Sequence, residues 1–147
     1  MAITAEYSHQ FMMEALRKEH NIEADALYIA LMDTAFAFDP DTHATWADCS
    51  ANEIAGGFGY STAGELMTNV AMTIDAVTNQ VDIAADNITW AASGGPFPTT
   101  GSAIIYNATH VNSTVVMGID FDADYDTPDT KLFQINFSNG LGALQNV

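Results

Sequence analysis

The segment TVVMGIDF, residues 114–121, decides the fold of this 147-residue chain. Its apolar side chains recur at every second position, as Val115, Met117, Ile119 and Phe121. Successive side chains of a β-strand point to opposite faces of its sheet. This period of two therefore predicts a strand with one apolar face turned toward a core.

The same period recurs on both sides of this segment. Downstream and upstream, it predicts inward-facing residues at Ile88, Trp90, Ile104, Tyr106, Phe133, Ile135 and Phe137. In residues 66–84 it predicts the same role for Leu66, Val70, Met72, Ile74, Val81 and Ile83. About seven short strands separated by turns, including an Asn139–Gly140 turn, are typical of an antiparallel β-sandwich or barrel-like domain.

Two other segments complete this mainly β architecture. Residues 26–32, ALYIALM, are apolar on both faces, which predicts a central strand or one that a helix covers. Residues 33–65 are rich in Gly, Asp, Asn and Ser, so they predict one long loop, and residues 93–101 predict a shorter one.

An N-terminal helix is expected over residues 8–21, with Ser8 as its N-cap and Asn21 at its end. Its apolar stripe at helical spacing comprises Phe11, Met12, Ala15 and Leu16. Glu14 and Lys18 are spaced for an i,i+4 ion pair. The predicted organisation is thus one domain over residues 1–147, with an N-terminal arm (1–7), the helix, and a β-sandwich over 26–147.

The charge balance limits the partners that this chain can have. It contains 19 Asp and Glu against 3 Lys and Arg, a net charge of −16. Nucleic-acid and anionic-membrane binding are not expected, because both depend on Lys and Arg. A secretion signal and a membrane-spanning run are not expected either. Its one cysteine, Cys49, allows no intrachain disulfide and is expected to be an inert small apolar residue.

The acidic segment DFDADYDTPD, residues 120–129, is the clearest candidate for metal chemistry. Asp120, Asp122, Asp124 and Asp126 alternate along it, and a hard cation such as Ca²⁺ would relieve their mutual repulsion. The EF-hand pattern is not met, since Tyr125 and Lys131 occupy its glycine and glutamate positions. We interpret the segment as a solvated acidic hairpin loop, with a low-affinity Ca²⁺ site as the alternative.

No catalytic constellation emerges, so no enzyme activity and no cofactor are predicted. The histidines show no zinc-ligand spacing and are interpreted as surface residues; they are His9, His20, His43 and His110. Glu53 and Glu65 flank a glycine-rich turn, and hydrolysis that uses this carboxylate pair or the segment Asp120–Asp126 is an alternative hypothesis.

Contact with another protein is the more natural use of the exposed segments. Trp46, Phe58 and Tyr60 lie in the long loop, where aromatic side chains commonly pack against the domain or a partner. Arg17 and Lys18 are two of the three basic residues and lie on the predicted helix. These five residues are the candidate partner contacts.

A set of short motifs over residues 22–137 resembles a group of small virion proteins of tailed bacteriophages. The motifs are an early strand, D-x-D-T-H, S-A-N-E, G-x-G-Y and D-x-x-x-W. Their residues here are Asp39, Asp41, Thr42, His43, Ser50, Ala51, Asn52, Glu53, Gly57, Gly59, Tyr60, Asp86 and Trp90. The resemblance implies a structural protein of the virion and no catalytic residues.

Within that group, a capsid decoration (cement) protein is the favoured role. Such a protein is made in the host cytoplasm, binds the outer shell and stabilises it by bridging subunits of the major capsid protein. A homo-oligomer on the particle is expected, with a trimer as one arrangement. The alternative is a tail or fibre module that binds a host glycan by stacking on Trp46, Phe58, Tyr60 and Phe97.

Overall fold

The structure, a computed structural model, describes residues 3–77, 79–137 and 144–146. Within these residues the protein is mainly β, as predicted, and every strand pairing is antiparallel. A five-stranded sheet has the order β1-β8-β7-β2-β3. Its strands are β1 (Thr4–Tyr7), β2 (Leu27–Met32), β3 (Glu65–Leu66), β7 (Phe97–Asn107) and β8 (Val115–Thr127).

Two smaller sheets accompany the large one. A three-stranded sheet, in the order β10-β9-β6, comprises β6 (Ile88–Ala91), β9 (Leu132–Ile135) and β10 (Leu144–Asn146). A two-stranded hairpin comprises β4 (Ala71–Asp75) and β5 (Gln80–Ala84). The core cluster joins residues of the five-stranded sheet to Trp90 and Phe133 of the three-stranded sheet, which gives a sandwich-like arrangement.

Strand β2 is covered on both faces, as its apolar sequence predicts. Leu27, Ile29 and Leu31 belong to the main core, whereas Ala30 and Met32 belong to a second cluster on the other face. The second cluster is closed by a short helix, α2 (Trp46–Cys49), from the connection between β2 and β3.

The period-two pattern assigns the inward side chains of β6, β8 and β9 correctly. Val115, Met117, Ile119 and Phe121 of β8 are all buried. The corresponding residues on and next to the smaller sheet are buried too, namely Ile88, Trp90, Phe133, Ile135 and Phe137. The expected Asn139–Gly140 turn lies outside the described residues.

The N-terminal helix α1 spans His9–Leu16 and is shorter than the predicted 8–21. Ser8 is its N-cap, as expected, and its hydroxyl accepts a hydrogen bond from Phe11 N at 3.5 Å. The helix ends early because Lys18 adopts the left-handed backbone conformation, with φ at 64°.

The predicted apolar stripe of α1 is wrong. Phe11 is buried, but Met12, Ala15 and Leu16 are exposed, and the second buried residue of the helix is Glu14. Glu14 bonds to side chains of other elements instead of forming the expected pair with Lys18.

The N-terminal arm is also partly a strand. Thr4–Tyr7 forms β1, which pairs with residues 117–120 of β8 at the edge of the five-stranded sheet. This segment is therefore part of the domain, and its backbone groups are engaged within the chain.

The predicted loop over residues 33–65 contains regular structure. It includes α2 and a 3₁₀ helix at Ser50–Asn52, so it is only partly irregular. Thr45 precedes α2, and its backbone N–H donates to the Asp48 carboxylate at 2.8 Å, which fixes the first turn. The loop expected over residues 93–101 is shorter than predicted, since β7 begins at Phe97.

The acidic segment is a continuation of strand β8 and not a hairpin loop. β8 runs to Thr127, and the turn to β9 follows it, where Lys131 N donates to Pro128 O at 3.1 Å. Between the pairs Ser102–Asp120 and Thr100–Tyr125 the chain advances two residues on β7 but five on β8. This bulge interrupts the alternation of the aspartates.

Candidate functional site

The β4–β5 hairpin carries an apolar face that is partly exposed to solvent. Met72 pairs with Ile83, and Ile74 pairs with Val81. Directly opposite residues of an antiparallel pair lie on the same face. These four side chains therefore form one continuous apolar face of the hairpin.

This apolar face begins in the core and continues into solvent. Ile83 is fully buried, Met72 and Val81 are about half covered, and Ile74 is 82% exposed. Val77, in the turn, is 91% exposed. The sequence predicts correctly that Ile74 and Val81 lie on the same face as the buried Ile83. It is wrong that these two side chains are buried, because the hairpin extends beyond the elements that cover its base.

The hairpin is fixed to the rest of the domain near its base and also at Val81, which pairs with Ile74 close to the turn. The Tyr7 hydroxyl donates to Val81 O at 2.9 Å, and Met72 N donates to the Glu23 carboxylate at 3.1 Å. Just outside β5, the carboxylate of Asp86 accepts from Thr68 Oγ1 and Asn69 Nδ2 at 2.9 and 2.7 Å. The hairpin is therefore held in place while Ile74 and Val77 remain largely exposed.

A second feature is a buried polar cluster beneath α1. The Glu14 carboxylate accepts hydrogen bonds from His20 Nε2 and Thr114 Oγ1, both at 2.8 Å, and from Gln10 Nε2 at 2.6 Å. His110 Nδ1 lies 3.9 Å from the same carboxylate. Burial alone would raise the pKa of Glu14, but these hydrogen bonds, together with the nearby His110, lower it below its ordinary value.

The prediction that all four histidines are surface residues is wrong for two of them. The side chains of His20 and His110 are only 1% and 11% exposed, and their rings lie 4.6 Å apart. Local spacing gave no sign of this cluster, because Thr114 is separated from Glu14 by 100 positions. His9 and His43 are at the surface or half-buried, beside Asp41 and Phe36 respectively.

Glu14, His20 and His110 bring three potential metal-ligand atoms within 4.8 Å of one another. The surrounding hydrogen bonds indicate which of these nitrogen atoms carry hydrogens. Asn107 Oδ1 accepts from the backbone of Thr109 and His110, so its Nδ2 must donate to His20 Nδ1, at 3.0 Å. His20 then carries its hydrogen on Nε2, which faces Glu14.

The hydrogen on His110 can be assigned in the same way. The Thr114 hydroxyl gives its hydrogen to Glu14, so its oxygen accepts from His110 Nδ1 at 2.9 Å. In this network both nitrogen atoms near the carboxylate are donors, so a metal could bind them only by displacing their hydrogens. The arrangement is a satisfied hydrogen-bond network that ties α1 to the connection between β7 and β8.

A shallow cleft of about 520 Å³ lies on another part of the surface. Its walls come from the glycine-rich turn, the start of β7 and the β8–β9 turn. They comprise Phe58, Pro96, Phe97, Pro98, Thr99, Asp126, Pro128 and Asp129.

The structure separates the predicted partner contacts into different environments. Phe58 is 52% exposed, whereas Tyr60 is buried and Trp46 stacks on Tyr106 with ring centroids 4.7 Å apart. Arg17 and Lys18 are exposed at the end of α1. Phe58 and the two basic residues are thus accessible to a partner, while Trp46 and Tyr60 serve the packing of the long connection.

The carboxylate of Glu53 is part of this packing and is not paired with Glu65. It accepts from Tyr60 Oη at 2.8 Å and from Ala63 N at 2.6 Å, while Leu31 N donates to Tyr60 Oη at 3.0 Å. Burial raises the pKa of Glu53, and these hydrogen bonds oppose the rise. The Glu53–Tyr60 pair fastens the glycine-rich turn to β2.

The four aspartates proposed as a Ca²⁺ site do not converge. Asp120 Oδ1 accepts from Asp122 N at 2.8 Å, and Asp126 accepts from the Thr99 hydroxyl. In the part of the chain that the structure describes, the only group of three potential ligand atoms within 4.8 Å is the one around Glu14.

The single cysteine, Cys49, is buried in the second core cluster. Burial and the neighbouring Asp48 raise the pKa of its thiol to about 12, which keeps it protonated.

No protein-family model, no curated protein and no solved structure matches this chain. Among the described residues, no helix has the length and apolar character needed to cross a membrane.

Proposed function

We propose that this chain is a structural protein of a tailed-bacteriophage virion, and specifically a capsid decoration protein that binds the outer shell. The observation that carries the proposal is the uncovered apolar face of the β4–β5 hairpin. A chain with a net charge of −16 keeps free copies apart and soluble, so an exposed apolar surface on it needs a partner to cover it. The motif resemblance to virion proteins supplies the identity of that partner.

The contact is proposed to work by adding apolar burial at many equivalent positions of a shell. Complete burial of one side chain the size of Ile74 contributes about 1.5–3 kcal/mol. A protein that binds the assembled shell and not its free subunits stabilises the shell by mass action. The major capsid protein is the proposed partner, and a homo-oligomer on the particle surface is the proposed form; this role requires no reaction.

The experiment compares two substitutions in binding to undecorated shells of the virus that encodes the chain. Ile74→Asp places a charge on the hairpin face and is expected to weaken binding roughly tenfold to a hundredfold. Val111→Asp is the matched control, because Val111 is 89% exposed in the β7–β8 connection and the added charge is the same. Shell-bound protein is measured by co-sedimentation.

Electron microscopy of the particle gives the second readout. Copies in proportion to the shell lattice, with the hairpin at the contact, support the proposal. Equal loss of binding in both variants, or a few copies at the tail only, would contradict it.

The tail or fibre alternative has less support from the side chains. Of its four stacking candidates, Tyr60 and Phe97 are buried and Trp46 is stacked on Tyr106, so Phe58 alone offers an exposed ring.

A further inference from the structure

The cleft beside Phe58 combines an aromatic ring, proline walls and two carboxylates. Its volume of about 520 Å³ lies in the range of small-ligand sites, roughly 300–1,000 Å³. Among its described lining residues are Asp126 and Asp129 and no Lys, Arg or His. A site with this lining favours a ligand that is cationic at one end and apolar along its length.

The turn that carries Phe58 is rigidly held. Phe58 itself has φ at 53°, a left-handed conformation that is unfavourable for an aromatic residue. Gly57 and Tyr60 close the turn with two backbone hydrogen bonds of 2.8 and 3.0 Å, and Ser93 N donates to Phe58 O at 3.0 Å. These bonds fix the backbone that carries the ring at the edge of the cleft.

The environment of the ring confirms how closely it is fitted. A Cβ added at Gly95 would lie only 2.8 Å from Phe58 Cε1, so one side of the ring rests on glycine. Phe58 is half exposed and lines the cleft together with the two aspartates.

We propose that this cleft binds an arginine side chain presented by an extended segment of a partner protein. The planar guanidinium stacks on an aromatic face and forms paired hydrogen bonds with a carboxylate, which a lysine ammonium does less well. The methylene groups of arginine suit the proline walls. The strongly negative chain supplies a long-range attraction for such a segment.

This inference goes beyond the proposed function and does not depend on it. The cleft is built from the glycine-rich turn and the ends of β7 and β8, whereas the shell contact is placed on β4 and β5. Either surface can therefore fail its test without affecting the other.

The test is a nuclear magnetic resonance titration of the full chain with acetyl-Gly-Arg-Gly-amide. The control peptide replaces arginine with citrulline, which has nearly the same shape but no charge. We expect saturable shifts of the Phe58, Thr99 and Asp129 backbone signals with the arginine peptide, and a loss of those shifts in 0.5 M NaCl (roughly three times physiological ionic strength). Equal binding of the citrulline peptide would overturn the proposal.

Two variants and one matched control locate the site. Asp129→Asn and Phe58→Ala are each expected to weaken binding about fivefold, the scale of one exposed ion pair or cation–π contact. Asp122→Asn removes the same charge from β8 outside the cleft and is expected to change affinity less than twofold. A similar loss in Asp122→Asn and Asp129→Asn would indicate non-specific attraction and refute the site. Shifts of these signals with methyl glycosides but not with the arginine peptide would also refute it.

Discussion

Single residues hold the glycine-rich turn in place, and the sequence shows only part of how they do so. Gly57 and Gly59 both have positive φ, at 122° and 100°. Their surroundings differ, because a Cβ at Gly59 would lie 2.0 Å from the carbonyl oxygen of Ala91, whereas a Cβ at Gly57 would meet nothing within 4 Å. The composition of residues 56–60 predicts a turn, but no local pattern identifies which glycine lies against β6.

This difference gives a test of the turn at the residue scale. Gly57→Ala is expected to lower the free energy of unfolding by about 1–3 kcal/mol, since only the backbone conformation is strained. Gly59→Ala is expected to cost about 2 kcal/mol more, because the added methyl group also displaces the Ala91 backbone. Urea unfolding at neutral pH measures both. Equal losses in the two variants would show that the close approach to Ala91 does not contribute.

Among the secondary-structure elements, the strands were more predictable than the helix. In β8 and β9 the alternation of apolar residues is sufficient to assign the inward side chains, because the neighbouring strands follow the same period of two. In α1 the buried side is decided instead by Glu14, whose partners His20 and Thr114 lie outside the helix. Hydrogen bonds to residues outside the helix therefore decide which face of α1 is buried, and the apolar spacing within the helix does not.

The hairpin shows the other limit of sequence patterns. Period two identifies which side chains of β4 and β5 share a face, and the register confirms that Ile74 and Val81 do. It carries no information on how far the covering elements extend along that face. The sequence pattern therefore predicts Ile74 and Val81 as core residues, and only the three-dimensional structure shows that both are exposed.

The cluster at Glu14 makes the attachment of α1 dependent on pH. Because the pKa of Glu14 is lowered in the folded chain, its ionised form stabilises the fold above its ordinary value of 4.5, and this contribution disappears as the pH falls through the lowered folded value. Glu14→Gln is expected to reduce the free energy of unfolding at pH 7 by about 1–3 kcal/mol. The difference from the parent chain should shrink as the pH falls below 4.5.

Urea unfolding of both proteins between neutral and acidic pH provides the measurement. His20, His110 and Glu19 are present in both chains, so the difference between the two curves isolates Glu14. Glu6→Gln, an exposed carboxylate on β1, is the control and is expected to change the unfolding free energy by less than about 0.5 kcal/mol at any pH. A constant difference between the Glu14→Gln and parent curves over this range would contradict a lowered pKa of Glu14 in the folded chain.

At the scale of the whole molecule, the net charge of −16 opposes folding by self-repulsion. The carboxylate contacts within 4.0 Å of a basic group in the described residues all involve histidine, which is charged only when protonated, and three of the four converge on the single cluster beneath α1. Salt weakens attraction and repulsion between exposed charges alike, but buried pairs are screened much less. Screening should therefore remove more repulsion than attraction.

We accordingly expect NaCl to raise the thermal unfolding midpoint, by roughly 3–6 °C between 0.02 and 0.5 M if about 1–2 kcal/mol of repulsion is removed. Calorimetry at pH 7 measures the midpoint, and chloride is preferred to sulfate because sulfate also strengthens apolar burial. A midpoint that falls with added NaCl would show that attractive pairs dominate this surface. The same screening should weaken binding of an arginine peptide at Phe58.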